Sequence, residues 1–138
     1  MIIDLNPIPV GTFTFMFRYF KDELPPYAMV DVTQESNDDS LGGFALNSLS
    51  VGEATKISDL SGRQYSFGTD SENADSEIRE SVFWRPRDQT LEIESLILTF
   101  GKITNESIEL DVSATCFDHD GNTNIAVSFK GGAKIIYW

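Results

Sequence analysis

Apolar residues recur at every second position through most of this chain, and that period constrains the fold more than any other feature. The segment 12–20 shows it most clearly, with four aromatic side chains on one face: Phe13, Phe15, Phe17 and Tyr19. Segment 27–33 aligns Ala28, Val30 and Val32 in the same way. Because successive side chains of a strand point to opposite sides of its sheet, this alternation predicts strands with one buried face.

The C-terminal third carries the same pattern with one change of phase. Leu91 and Ile93 share one parity, whereas the later apolar residues Leu96, Leu98 and Phe100 share the other. One extra residue restores the inward face, so the shift predicts a β-bulge near Glu94 and Ser95. Apolar residues alternate again over 108–116 and 125–129. Turns at 118–122 and at Lys130-Gly131-Gly132 then predict a meander that ends in a separate strand, 133–138.

Shorter strands are predicted at 44–51, 54–57, 64–67 and 81–85, with a hairpin turn at 60–63. About nine strands joined by short connections predict an all-β fold, either an antiparallel sandwich or a flattened barrel. The length of 138 residues corresponds to a single domain, 1–138. At most one short helix is expected, near 71–80, where a solvated loop is the favoured alternative.

Charge and cysteine content limit the partners and the compartment. The chain carries 22 Asp and Glu against 10 Lys and Arg, a net charge of -12. Phosphate backbones and anionic membranes repel such a surface, so we predict neither as a partner, whereas a basic protein is attracted to it. With a single cysteine and no apolar leader at the N-terminus, the chain is expected to be cytoplasmic.

Residues that carry chemistry are scarce. His119 is the only histidine and lies between Asp118 and Asp120, whose carboxylates favour its charged form rather than a general base. Cys116 falls on a buried row with Val112 and Ala114, which predicts an inert thiol. One Cys and one His do not supply a zinc site, and no nucleotide-binding motif is present. The chain is therefore predicted to be neither an enzyme nor dependent on a cofactor.

Asp118, Asp120 and Asn122 form a weak alternative for calcium. The segment resembles part of a calcium loop, but its glycine stands at the fourth position rather than the sixth. A hairpin turn explains Asp-Gly between two strands more simply.

The acidic segment 69–80 is the strongest candidate for binding a partner. It carries five carboxylates, with Arg79 as the only base: Asp70, Glu72, Asp75, Glu77 and Glu80. Trp84 and Arg85 follow it and belong to residue types enriched at interface hot spots. The alternative interpretation places Phe83 in the core and Trp84 over a sheet edge.

The run Leu96 to Ile103, followed by Ser107 to Val112, resembles the C-terminal meander of several immunity proteins of bacterial toxin systems. That resemblance implies a cytoplasmic inhibitor that blocks the basic active site of a cognate toxin, such as a nuclease. It assigns no individual residue.

Two other functions stay open at this point. A structural or assembly subunit of a phage or secretion particle would use a sheet edge at 133–138 to pair with a neighbouring copy as a homo-oligomer. A calcium- or ligand-binding β-sandwich is the third hypothesis.

Overall fold

The computed structural model describes residues 2–4, 13–34, 43–68, 81–85, 89–118 and 125–137. These residues form nine strands and one 3₁₀ helix, Ile57–Leu60. The strands are β1 (Ile2–Asp4), β2 (Phe13–Phe20), β3 (Tyr27–Gln34), β4 (Gly43–Ser50), β5 (Gln64–Gly68), β6 (Val82–Arg85), β7 (Gln89–Ile103), β8 (Ser107–Phe117) and β9 (Ile125–Ile136). Among the described residues, no helix is long and apolar enough to cross a membrane.

Seven of these strands close into a barrel. The order around the ring is β2, β3, β4, β6, β7, β8 and β9, and β9 then returns to β2. Six of the seven pairings are antiparallel, whereas Thr14–Met16 of β2 runs parallel to Lys134–Ile136 of β9. β5 lies outside the ring on β7, and β1 runs parallel to β9. The all-β prediction is confirmed, but the nine-stranded sandwich is wrong, as is the expectation of purely antiparallel pairing.

The predicted alternation fills the barrel with apolar side chains. Phe13 and Phe15 on β2 point inward and are at most 1% exposed. The Phe13 ring stacks on Phe44 with centroids 4.4 Å apart and lies 4.9 Å from Phe129. Ala28, Val30 and Val32 on β3 are fully buried, as predicted. Rings from distant strands therefore meet in one core and stabilise it through apolar burial and aromatic contacts.

The long strand β7 contains the predicted bulge. Ile93 pairs with Cys116 and Ser95 pairs with Thr115, so Glu94 is the extra residue. Leu91 and Leu96, on either side of the shift, are both buried. The phase change in the sequence was therefore a correct indicator of the bulge.

Residues 54–57 do not form the predicted strand. They lead into the 3₁₀ helix, where the Asp59 carboxylate accepts hydrogen bonds from the backbone N–H groups of Thr55 (3.0 Å) and Lys56 (3.3 Å). These bonds hold the pKa of Asp59 below its usual value. Ala54 and Leu60 are buried against the barrel. Four residues were too few to separate a strand from a turn that buries the same side chains.

The predicted turn at Lys130-Gly131-Gly132 is also wrong. All three residues lie within β9, and their pairing with Asp111, Leu110 and Glu109 of β8 is uninterrupted. Lys134–Ile136 pairs with β2, and Lys134 also pairs with Ser107 of β8, so the predicted free edge is occupied there. The register with the long partner strand overrides the local preference of Gly-Gly for turns.

Gly131→Ala and Gly132→Ala test this arrangement as a matched pair. A Cβ on Gly131 would lie 2.8 Å from Cζ of Phe129, a ring confined by Phe13 and Phe44, whereas a Cβ on Gly132 would meet only Ile108 O at 3.9 Å. We expect Gly131→Ala to lower the free energy of unfolding by about 1–3 kcal/mol. Gly132→Ala should raise it by about 0.5–1 kcal/mol. Urea unfolding followed by fluorescence measures both, and equal effects would contradict the packing at Gly131.

Candidate functional site

The outer wall of β2 and β3 carries a cluster of polar side chains that includes an ion pair. Residues at even positions of β2 and odd positions of β3 face away from the core. Arg18 therefore lies on the outside, diagonally across from Asp31, whose direct cross-strand partner is Met16. Arg18 Nη2 and Asp31 Oδ2 are 3.1 Å apart, and both side chains are largely buried, at 28% and 19% exposed.

A β-bulge in β4 brings Ser48, the third residue of the cluster, next to Asp31. Val30 pairs with Leu49 and Val32 with Leu46, so two residues of β4, Asn47 and Ser48, lie opposite Asp31 alone. Ser48 adopts φ 55°, a left-handed conformation that costs a residue other than glycine roughly 1 kcal/mol. Its backbone N–H donates to Asp31 Oδ1 at 2.7 Å, and Arg18 Nη2 donates to its hydroxyl oxygen at 3.3 Å. The carboxylate thus stabilises both the bulge and the guanidinium.

These residues line a shallow cavity of about 360 Å³, together with Thr14, Met16, Thr33 and Ile136. Asp31 neutralises Arg18, so the cavity does not offer an uncompensated cation to an anionic ligand. Arg18 Cζ lies 5.8 Å from the centre of the Phe20 ring, a cation–π contact that fixes the guanidinium further. The arrangement is suited to recognition by contact rather than to proton transfer.

Asp31→Asn tests whether this carboxylate holds the cluster together. The substitution removes the charge that pairs with Arg18 and weakens the bond to the Ser48 N–H. We expect the free energy of unfolding to fall by about 1–2 kcal/mol, since the pair is partly screened by solvent. Asp22→Asn, at an exposed hairpin position, is the control and should change it by less than about 0.5 kcal/mol. Equal urea midpoints for the two variants would contradict the role given to Asp31.

The predicted partner-binding residues are only partly covered by the structure. Asp70, Glu72, Asp75, Glu77 and Glu80 lie outside the described residues, and with them the choice between loop and helix. The backbones of Trp84 and Arg85 belong to β6, but their side chains lie outside what is described.

The pairing of β6 bears on the alternative interpretation of Phe83 and Trp84. Trp84 pairs with Gly43 on one side and Thr90 on the other, so β6 is an internal strand of the ring. The Trp84 side chain lies outside what the structure describes, so its place over a sheet edge stays a prediction. Phe83 is fully buried, which confirms its predicted place in the core.

The weak calcium alternative is also only partly covered. Asp118 lies just after β8 and is 7% exposed, while His119, Asp120 and Asn122 fall outside the described residues. Within the described ranges, no three His, Cys, Asp or Glu side chains converge as metal ligands would.

Cys116 is fully buried in the barrel, on the row predicted for it. Burial disfavours the charged thiolate and raises the pKa of the thiol to about 12. Because the thiolate is the reactive form, this cysteine is a poor nucleophile in the folded protein.

The labelling kinetics of Cys116 follow from that burial. At about pH 8 the native protein should react with a thiol reagent only as fast as it opens, while the urea-unfolded chain should react within seconds. A chromogenic disulfide reagent measures both rates. Rapid labelling without denaturant would contradict the buried position.

Sequence reasoning missed the cluster of Arg18, Asp31 and Ser48. Two features of the sequence could have pointed to it. The first is that Met16 and Phe20 are apolar residues on the second face of a strand whose first face is already aromatic. The second feature is Asp31, a carboxylate within the otherwise apolar run 28–32.

Comparison of the chain with protein-family models, with curated proteins and with solved structures found no match.

Proposed function

We propose that this protein is a non-catalytic, acidic binding protein of the immunity type, a cytoplasmic inhibitor that occludes a basic surface of a toxin such as a nuclease. The observation that carries the proposal is the concentration of negative charge in a segment whose flanking residues are fixed on a packed barrel. Segment 69–80 holds five of the 22 carboxylates and one base.

The residue before the segment is held by the barrel. Gly68 ends β5 and pairs with Ser95. Its φ is 137°, and a Cβ there would lie 2.7 Å from the backbone oxygen of Glu94. Only glycine fits this close approach without strain, so the point where the segment leaves the sheet is defined.

The residue after the segment is held as well. Ser81 is 6% exposed, and its hydroxyl oxygen accepts the backbone N–H of Asn47 at 2.9 Å. β6 then enters the ring between β4 and β7. Fixing both flanking residues restricts where the acidic segment meets a partner, which lowers the ordering cost of binding.

Charge of this kind acts mainly on encounter. Exposed ion pairs are worth about 0–1 kcal/mol each, and salt screens them beyond roughly 10 Å. A patch of five carboxylates would attract a cationic groove, raise the association rate and disfavour partners of the same sign.

The test begins with the gene beside this one. A large upstream gene that ends in a basic C-terminal domain supplies the probe, and the purified domain should bind the full-length chain. Converting Asp70, Glu72, Asp75, Glu77 and Glu80 to their amides should slow association about tenfold at about 0.05 M salt, with little effect at about 1 M. Stopped-flow fluorescence measures both rates.

The control removes five exposed carboxylates from outside the segment: Asp22, Glu23, Glu53, Glu92 and Glu106. If electrostatic attraction is spread over the whole surface, both sets will slow association equally, and the segment loses its special role. The immunity proposal fails if no basic domain is encoded nearby and a pull-down from the native host retains no basic protein.

A further inference from the structure

Half-buried apolar side chains gather on the outside of the barrel, over β2, β3 and the end of β9. Met16 and Phe20 lie on the outer face of β2, and Tyr27 and Met29 lie on that of β3. Ile136 joins them because the parallel pairing places it beside Met16. We call these five residues and Arg18 the outer-wall patch.

Packing of the core does not account for these residues. Their neighbours in sequence, Phe15, Ala28 and Ile135, point inward and belong to the core. The patch residues point the other way, and none of them is among the partly buried side chains that pack on the core, such as Phe17 and Tyr65. Folding alone would be served equally well by polar residues at these positions.

The outer face of β8 shows what such positions hold elsewhere on the same barrel. Of its six outward side chains, only Phe117, at the end of the strand, is a large apolar residue. The other five are short or charged: Ser107, Glu109, Asp111, Ser113 and Thr115. This face has the composition of an ordinary solvated sheet surface. The difference between the two walls is therefore a property of the patch.

The residue types of the patch match those of protein interfaces. Methionine, aromatic residues and arginine are enriched at interface centres, whereas Lys, Glu, Asp and Ser are depleted. Phe20 stacks on Tyr27 with centroids 4.9 Å apart, so two large rings are already ordered. Arg18 is held by Asp31, Ser48 and Phe20, and such preorganisation lowers the entropy lost when a partner packs over it.

We infer that the outer-wall patch is a contact surface for a basic protein partner, an inference that rests on the proposed function. The charge of the chain argues against a second copy as the occupant, since two molecules of net charge -12 repel each other. The Arg18–Asp31 pair is locally neutral, so the patch itself repels neither sign. A basic protein that is drawn in by the acidic segment buries its apolar contact residues here. Leu24 is 95% exposed on the hairpin that joins β2 and β3.

Site-specific photocrosslinking in the native host tests the occupant. A benzophenone amino acid is placed in the full-length chain at Met29, in the patch, and separately at Ser113, on the outer face of β8. A third position, Ala74, probes the acidic segment. We expect Met29 and Ala74 to give an adduct with the same basic polypeptide, identified by mass spectrometry, and Ser113 to give at least about tenfold less.

Affinity measurements with the captured polypeptide complete the test. Met29→Ser and Ile136→Ser should each weaken binding about tenfold, while Ser113→Ala should change it less than twofold. Circular dichroism and urea midpoints confirm that each variant is folded, so a loss of affinity is not a loss of structure.

The failures are distinguishable. An adduct between two copies of this chain, no adduct at Met29, or equal adducts from Met29 and Ser113 would overturn the patch as the partner's contact surface. If Ala74 alone captures a basic protein, the proposed function stands and this inference fails. If Met29 captures an acidic protein, the inferred basic occupant and the charge-based function both fail.

Discussion

A three-residue parallel seam closes the barrel, and much of the molecule depends on it. Thr14–Met16 lies beside Lys134–Ile136, which joins the second strand of the chain to the last. Without this pairing, β2 and β9 would expose unpaired N–H and C=O groups along two edges of an open sheet. With it, Phe13 reaches Phe129 and the aromatic core is enclosed. The same pairing sets Met16 beside Ile136, so the outer wall is also a product of closure.

Local pattern was sufficient for most strands and insufficient for their assembly. Alternation located β2 and β3, and the change of phase between Ile93 and Leu96 located the bulge in β7, because both signals lie within a few residues. The seam joins residues more than a hundred positions apart in parallel orientation, which no turn signal announces. Gly131-Gly132 resembles a turn until the uninterrupted register of β8 is known. The closure of the barrel and the continuity of β9 therefore depend on long-range strand pairing, which local sequence preferences do not determine.

The two candidate surfaces also differ in whether local sequence pattern was enough to find them. Composition was enough to identify the acidic segment 69–80, since charge density needs no knowledge of the fold. The cluster of Arg18, Asp31 and Ser48 could not be found without the fold. A bulge between β3 and β4 brings these residues together, and the parallel pairing with β9 completes their surroundings. The sequence shows Met16 and Phe20 on the second face of β2, but it does not show which face is inner or that Met29 joins them.

Charge and apolar contact make different contributions to binding, and the proposed function assigns them to different residues of this chain. Carboxylates on exposed segments act over about a Debye length and speed encounter, but each exposed pair adds little to the lifetime of a complex. Apolar area removed from water contributes roughly 25 cal/mol per Å², independent of salt to first order. A protein that relied on its acidic segment alone would release its partner as ionic strength rises. If the outer-wall patch contacts the partner as inferred, its apolar side chains supply the contribution that the acidic segment lacks, and the Arg18–Asp31 pair adds no net charge there. In such a complex, the dissociation rate should depend on the outer-wall patch and the association rate on the acidic segment.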